Sequence, residues 1–144
     1  MAVTAKWYGQ ALMKALNKEI DWDSDTIKVM LCTSSYTPDQ DTHVYKDVSV
    51  TNEVEGDGYT AGGATLASKT IGYTAGTNVI KLDAADTAWA ASTITARYAV
   101  IYDDTPASSK PLLGYVDFGE DEESASTDFT IQWSSDGVLK ITTQ

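Results

Sequence analysis

Cysteine and histidine each occur once in this 144-residue chain, as Cys32 and His43. One cysteine forms no internal disulfide and builds no Cys-x-x-Cys zinc site. A serine or cysteine nucleophile would have His43 alone to serve as its base, and no Gly-x-Ser-x-Gly turn accompanies it. His43 lies in the polar stretch Asp39 to Asp47, which predicts a solvated loop residue; Cys32 ends an alternating apolar segment, which predicts a packed thiol. Clustered positive charge is also lacking. Ten Lys+Arg are scattered singly from Lys6 to Lys140 against 21 Asp+Glu, a net charge of −11. Nucleic-acid backbones and anionic membranes are held by clustered cations, so direct binding to either is not expected. No apolar run approaches the ~20 residues of a membrane span, and the opening MAVTAKWYGQ has neither the basic start nor the apolar stretch of a signal peptide. The expectation is a soluble protein made in the cytoplasm.

What the chain does have is an ordinary globular composition: 42% apolar residues and 10 glycines. At this length folding buries roughly two-thirds of the unfolded surface, enough for a core without disulfide or metal. One folded unit over 1–144 is expected, with an arm and helix in 1–20 and a long polar region over 33–63. Trp7, Tyr8, Ala11, Leu12, Ala15 and Leu16 recur at helical spacing, which predicts a helix from Thr4, as N-cap, to about Lys18. From Thr26 the period becomes two: Ile27, Val29 and Leu31 alternate with Lys28, Met30 and Cys32, a strand with one buried face.

Further strands are predicted near Val44 to Val50 and at Ala64 to Tyr73, Asn78 to Asp83, Thr93 to Tyr102, Leu112 to Phe118, Thr127 to Trp133 and Val138 to Thr142. Ile94, Ala96, Tyr98, Val100 and Tyr102 fall on one face, with Ala99 and Ile101 on the other, which predicts a central strand. A three-residue loop of Ser135, Asp136 and Gly137 would close a final hairpin with Trp133 opposite Leu139 and Ile131 opposite Ile141. The pentapeptide Gly-Tyr-Thr-Ala-Gly at 58–62 and 72–76 reads as two similar turns at the ends of one strand. The fold class is mainly β: an antiparallel β-sandwich or small barrel of seven to eight strands with one N-terminal α-helix.

Motifs for chemistry are incomplete. Asp21, Asp23 and Asp25 open like a calcium loop, but Thr26 stands where glycine is required and Cys32 where a bidentate glutamate belongs. Glu120, Asp121, Glu122 and Glu123 read as a solvated acidic loop. Gly56, Gly58, Gly62 and Gly63 do not fit a phosphate loop, and Glu53, Glu55 and Asp57 among them would repel phosphate. No pair of carboxylates is singled out for glycoside hydrolysis. No catalytic residue, cofactor or metal is expected. Recognition then falls to aromatic and apolar residues. Trp7 and Trp133 lie on predicted buried faces, whereas Trp22 and Trp89 sit in loop contexts that predict exposed contacts. The partner-binding candidates are Trp7, Tyr8, Leu12, Trp22, Tyr36, Tyr45 and Trp89.

Several stretches taken in order carry a resemblance: Ala5-Lys6-Trp7-Tyr8-Gly9, Asp25-Thr26-Ile27-Lys28-Val29, Cys32-Thr33-Ser34-Ser35-Tyr36-Thr37-Pro38, Gly58-Tyr59-Thr60-Ala61-Gly62-Gly63, Ala96-Arg97-Tyr98-Ala99-Val100-Ile101-Tyr102, Gly114-Tyr115-Val116-Asp117-Phe118 and Phe129-Thr130-Ile131-Gln132-Trp133. Together they resemble small structural proteins encoded by tailed bacteriophages, over nearly the whole chain. The resemblance implies a non-enzymatic virion component present in many copies. The expected role is capsid decoration on the outer head surface, with the major capsid protein or other virion proteins and further copies of itself as partners. The acidic charge suits an outward-facing position. The particle contact is expected in a mobile arm and helix, Ala2 to Leu12, and in the loop Ser34 to Gly63. The alternatives are a tail-associated or receptor- or carbohydrate-binding β module and a non-viral bacterial binding module.

Overall fold

The computed structural model describes residues 2–144 and is mainly β. In chain order the elements are β1 (Ala2–Val3), β2 (Lys6–Trp7), α1 (Ala11–Leu16), β3 (Ile27–Cys32), α2 (Lys46–Ser49), β4 (Ala64–Thr65), β5 (Thr70–Thr74), β6 (Val79–Asp83), β7 (Thr87–Asp103), β8 (Leu112–Trp133) and β9 (Leu139–Thr142). One sheet runs β1-β8-β7-β3-β4, with β2 also on β8, and a second runs β5-β6-β9. Neither closes into a barrel. A single apolar cluster joins them, since Leu82 of β6 and Leu139 of β9 share a core with Val29, Ile101, Leu113 and Ile131.

The long hairpin β7–β8 organises everything else. A straight strand of this length would run about 70 Å. Yet β1 pairs in parallel with Gln132 and Trp133 at one end of β8, while β2 pairs antiparallel with Gly114 and Tyr115 at the other. Val3 and Lys6 are at most about 11 Å apart along the chain, so the two ends of β8 must meet. The hairpin therefore folds back on itself. Register shifts at Trp89/Ser92, Ser92/Thr93, Ala96/Tyr98 and Ile101/Tyr102 supply the bend, as bulges do in natural sheets.

The largest shift corrects the expected faces of β7. Ala96 pairs with Glu122 and Tyr98 with Asp117, so Arg97 alone opposes residues 118–121. Side-chain parity changes there. Ile94, Ala96, Ala99 and Ile101 all enter the main core, and Tyr98, Val100 and Tyr102 join a second cluster. The central position of β7, between β8 and β3, is as predicted.

β3 runs as expected from Ile27 to Cys32, but both its faces are covered. Ile27, Val29 and Leu31 point into the main core, and Met30 and Cys32 meet Tyr8, Tyr36, Val100, Tyr102 and Leu112. Residues 33–63 contribute Tyr36 and Val50 to that second cluster and Val54 and Tyr59 to the main core rather than forming a free loop. Thr33 N–H donates to Asn52 O and Val54 N–H to Leu31 O, both at 2.9 Å. The strand expected at Val44 to Val50 is instead the short helix α2. Asp47 accepts the backbone N–H groups of Ser109 and Lys110 at 2.8 and 2.9 Å, which tethers that turn to the β7–β8 connection.

The predicted helix shrinks to Ala11–Leu16 because β2 draws Lys6 and Trp7 into strand pairing. Thr4 caps nothing and instead bonds Ser134 through its hydroxyl. The stretch Ala64 to Tyr73 is broken between β4 and β5, so the twin pentapeptides do not flank one strand. Leu112 to Phe118 and Thr127 to Trp133 merge into β8, which carries the acidic run 120–123 as strand, not loop. The final hairpin does not form. β8 is already flanked where it ends, by β7 through Thr87↔Ile131 and by β1 through Val3↔Trp133, so β9 pairs with β6, Ile141 opposite Ile80 and Leu139 opposite Leu82.

One buried carboxylate sets a pH dependence. Asp103 is fully buried; its Oδ1 accepts the Thr105 N–H at 2.9 Å, while Oδ2 has no donor among the described residues. Burial, and then the neighbouring Asp25 carboxyl, push its pKa up to about 6. A folded state that holds a proton more tightly than the unfolded chain loses stability as pH rises from about 4 to about 6. Asp21, Asp39, Asp47, Asp104 and Asp117 are held below their usual range, Asp21 by Ser24, Asp39 by Thr42, Asp47 by the Lys110 N–H, Asp104 by Lys110 and Lys28, and Asp117 by Arg97. Their contribution is lost below about pH 4. Maximum stability is expected near pH 4–5. Asp103→Asn should flatten the slope between pH 4 and 6 and raise Tm at pH 7.5 by about 5 °C; thermal melts of both proteins across that range check it.

Candidate interaction surface

The candidate residues Trp7, Leu12 and Trp22 converge on one groove of about 510 Å³. Ala11, Leu12 and Ala15 of α1 form one wall; Ile71, Leu82 and Ile141 of the small sheet, with Leu113 of β8, form the other side and floor. Sequence periodicity places Leu12 and Ala15 correctly, although the helix carrying them is only six residues long. Trp7 is half-buried and donates its indole N–H to Lys140 O at 2.8 Å, which lays the ring against the end of β9. Beside the groove the helix leaves Met13 half-exposed and Leu16 at 85% exposure.

Trp22 is buried rather than exposed, a correction to the loop reading. Its indole N–H donates to Thr70 O at 2.9 Å. Lys69 lies over the ring and donates to the Trp22 carbonyl at 2.7 Å and to that of Asp25. Asp21 accepts the N–H groups of Asp23 and Ser24 at 3.1 Å, and Asp25 accepts the N–H of Asp21 at 2.8 Å. These carboxylates are thus occupied in closing the turn that carries Trp22 under β5.

Trp89 is buried as well. It packs in the main core with Tyr59 at 5.7 Å and Phe129 at 6.1 Å between ring centroids. Neither indole presents an exposed face for a sugar. Tyr8 and Tyr36 meet inside the second cluster, hydroxyl to hydroxyl at 2.8 Å, and Tyr36 continues to His43 Nδ1 at 3.0 Å. Asp39 N–H also donates to that nitrogen, so it is the acceptor and Tyr36 donates to it. His43 is therefore a half-buried member of a hydrogen-bonded chain, not a solvated loop residue. Burial pushes the Tyr36 hydroxyl and the Cys32 thiol up to about 12, which makes Cys32 a poor nucleophile. Tyr45 stays at the surface of this region, held to α1 by Lys14 Nζ at 2.6 Å.

The arm and the 33–63 region are pinned, contrary to the expectation of mobility. Ala5 N–H donates to Val138 O and Ser134 N–H to Val3 O, both at 2.9 Å. Tyr59 donates to Glu53 Oε1 at 2.8 Å and accepts the Leu31 N–H at 2.9 Å, so the turn after β3 is locked to the strand it leaves.

A second surface has the opposite character. Between Val116 and Ile131 β8 pairs with β7 on one edge only, and that open edge carries Glu120, Asp121, Glu122 and Glu123. Carboxylates on an unpaired edge discourage further strand pairing. Glu122, Glu123 and Asp128 border a hollow of about 200 Å³ lined also by Phe118 and Phe129, and Glu55, Thr93 and Glu123 line another. Arg97 is engaged with Asp117 at 2.7 Å.

No family model matches the chain, and comparisons with curated proteins and with solved structures return no match. Among the described residues no helix is long and apolar enough to cross a membrane.

Proposed function

We propose that this chain is a non-enzymatic structural protein of a tailed-bacteriophage virion, a multicopy decoration protein seated on the outer head surface as an antiparallel β-sandwich. The observation that supports it is the separation of two surfaces. An apolar groove bounded by α1 and the small sheet offers a contact face, while the acidic edge of β8 stays solvated. A protein that coats a particle needs both, and many weak copies add through multivalency. The titratable groups most suited to chemistry are engaged in the fold: Cys32 is buried, and His43 is tied to Tyr36. The sugar-binding alternative loses the two exposed tryptophans it required.

Mass spectrometry of purified virions, followed by cryo-electron microscopy of heads and tails, tests the reading. Regular density of this size on the head supports it; density confined to the tail, or absence from the virion, overturns the decoration role. The groove is tested by cosedimentation with heads stripped of the protein. Leu16→Asp and Leu12→Asp are expected to weaken binding about tenfold or more, with little effect of Leu16→Asp on Tm because that side chain is 85% exposed. Undiminished binding by both variants moves the contact elsewhere on the surface.

A further inference from the structure

Two of the strand edges among the described residues are treated differently. The free edge of β8 is charged and interrupted by a bulge at residues 118–121, with Gly119 at φ +85°. β5 also lies at the edge of its sheet, but it reads Thr-Ile-Gly-Tyr-Thr and every residue of it is exposed. It contains no charge, no proline and no bulge, the devices by which edge strands are normally kept from pairing. Ile71 and Tyr73 are 53% and 56% exposed and share one face, being two residues apart in a strand. Trp22 occupies the Thr70 carbonyl at the start of the strand. From Ile71 onward β5 has no hydrogen-bonded strand on its outer side among the described residues.

We infer that β5 is a homotypic pairing edge, on which a second copy of this chain adds its own β5 antiparallel about a two-fold axis through Gly72. Two arguments select this occupant over a different protein. The first is register. Thr70-Ile71-Gly72-Tyr73-Thr74 is nearly palindromic, so antiparallel pairing centred on Gly72 sets Ile71 opposite Tyr73 of the other copy, twice, and Thr70 opposite Thr74, twice. Aliphatic–aromatic and Thr–Thr pairs are among the favourable cross-strand combinations, and an isologous contact doubles each of them. Gly72 points to the face opposite Ile71 and Tyr73, where even a Cβ would meet nothing within 4 Å, so nothing on that face obstructs the centre of the pairing.

The second is charge. At −11 two copies repel over most of their surfaces. Residues 70–80 carry no charge at all, and the nearest flanking charges are Lys69, bound to the carbonyls of Trp22 and Asp25, and Lys81, paired with Asp83 at 3.4 Å. Mutual approach is least opposed there. A five-residue edge is about 17 Å long, too short for strand pairing alone to bury the ~1,200 Å² of a stable dimer. The pairing is therefore weak in solution, in the range of about 100 μM to 1 mM, and gains strength wherever copies are held side by side. This holds whether or not the chain rides on a virion.

The test uses the full chain and a thiol placed on the two-fold axis. Gly72→Cys sets two sulfurs across from each other at the ~4.5–5.5 Å Cα spacing of directly opposed residues, within disulfide range. Cys32, the one native thiol, is buried and does not compete. Gly76→Cys, equally unobstructed but beyond the strand, is the control. Mild oxidation is expected to cross-link Gly72→Cys about tenfold or more faster than Gly76→Cys, and adding Ile71→Lys should abolish the difference. Sedimentation equilibrium of the unmodified chain up to about 1 mM should show a monomer–dimer equilibrium that Ile71→Lys weakens about tenfold or more. Thermal melts of the variants confirm that they are folded. Equal cross-linking rates, a strictly monomeric chain, or a dimer indifferent to Ile71→Lys would each overturn the inference.

Discussion

Gly63→Ala is expected to cost about 3–5 kcal/mol, the largest effect of any single methyl added to this protein. Gly63 has φ +80°, a region where a Cβ is strained. Its neighbourhood is tighter still. A Cβ there would lie 2.0 Å from Val29 O and 2.6 Å from Met30 Cα. Those are backbone atoms of β3, both of whose faces are buried, so nothing can swing aside. The chain passes this close because residue 63 leads directly into β4, which pairs Ala64 with Val29. Urea denaturation measures the loss. The twin pentapeptides provide an internal comparison. Gly58→Ala meets Ser92 Cα at 2.8 Å with φ +80°, whereas Gly72→Ala meets nothing within 4 Å. The first should cost about 2 kcal/mol or more and the second should be neutral or slightly stabilising. A Gly63→Ala midpoint equal to that of the unsubstituted chain would show that β3 and residue 63 do not approach as described.

That pair also shows how far the sequence could be read. Identical pentapeptides have identical local propensity, yet Tyr59 is drawn inward by Glu53 and the Leu31 N–H, while Tyr73 stays out on an edge strand with its hydroxyl on Asn78. Only partners distant in sequence distinguish them. The period-two signal located β3, β6 and the central β7 because alternation is a local property that burial preserves. It could not foresee the shift at Arg97, where one residue opposes four and the faces of β7 exchange. The helical spacing from Trp7 to Leu16 was partly coincidence. Lys6 and Trp7 lie in β2, and their placement follows from the free edge of β8 at Gly114, which no window around residue 7 contains. The acidic run misled for a related reason: charges that read as loop serve here to guard a strand edge. Of the candidate residues, Trp7, Leu12 and the buried Trp22 share one groove, whereas Ile71 and Tyr73 are not among the candidates. Their signal was present, an uncharged strand without edge protection, and it becomes informative only once β5 is known to be outermost.

Tyr8→Ala is expected to destabilise the protein by about 3–5 kcal/mol, and Tyr8→Phe by only about 1 kcal/mol. Tyr8 is 1% exposed and lies where the arm enters the second cluster, against the Tyr115 ring at 5.1 Å. Its backbone N–H donates to Leu113 O at 3.0 Å, the next link after the β2 pairing with β8. Alanine leaves a cavity that fixed strands on either side cannot fill. Phenylalanine keeps the ring and removes one hydroxyl, and Tyr36 still has His43 Nδ1 to donate to, so no buried group is stranded. The ratio of the two losses, read from denaturation midpoints at constant m-value, separates packing from hydrogen bonding at this position. It also decides what the arm is for. Residues 2–8 bridge the two ends of the folded-back β8, through Val3 at Trp133 and Trp7 at Gly114. Removing residues 1–8 should therefore release the hairpin and unfold the chain rather than detach a free contact from an intact domain. A truncated protein that melts within about 2 °C of the full chain would show that the bend in β8 is held by its bulges alone.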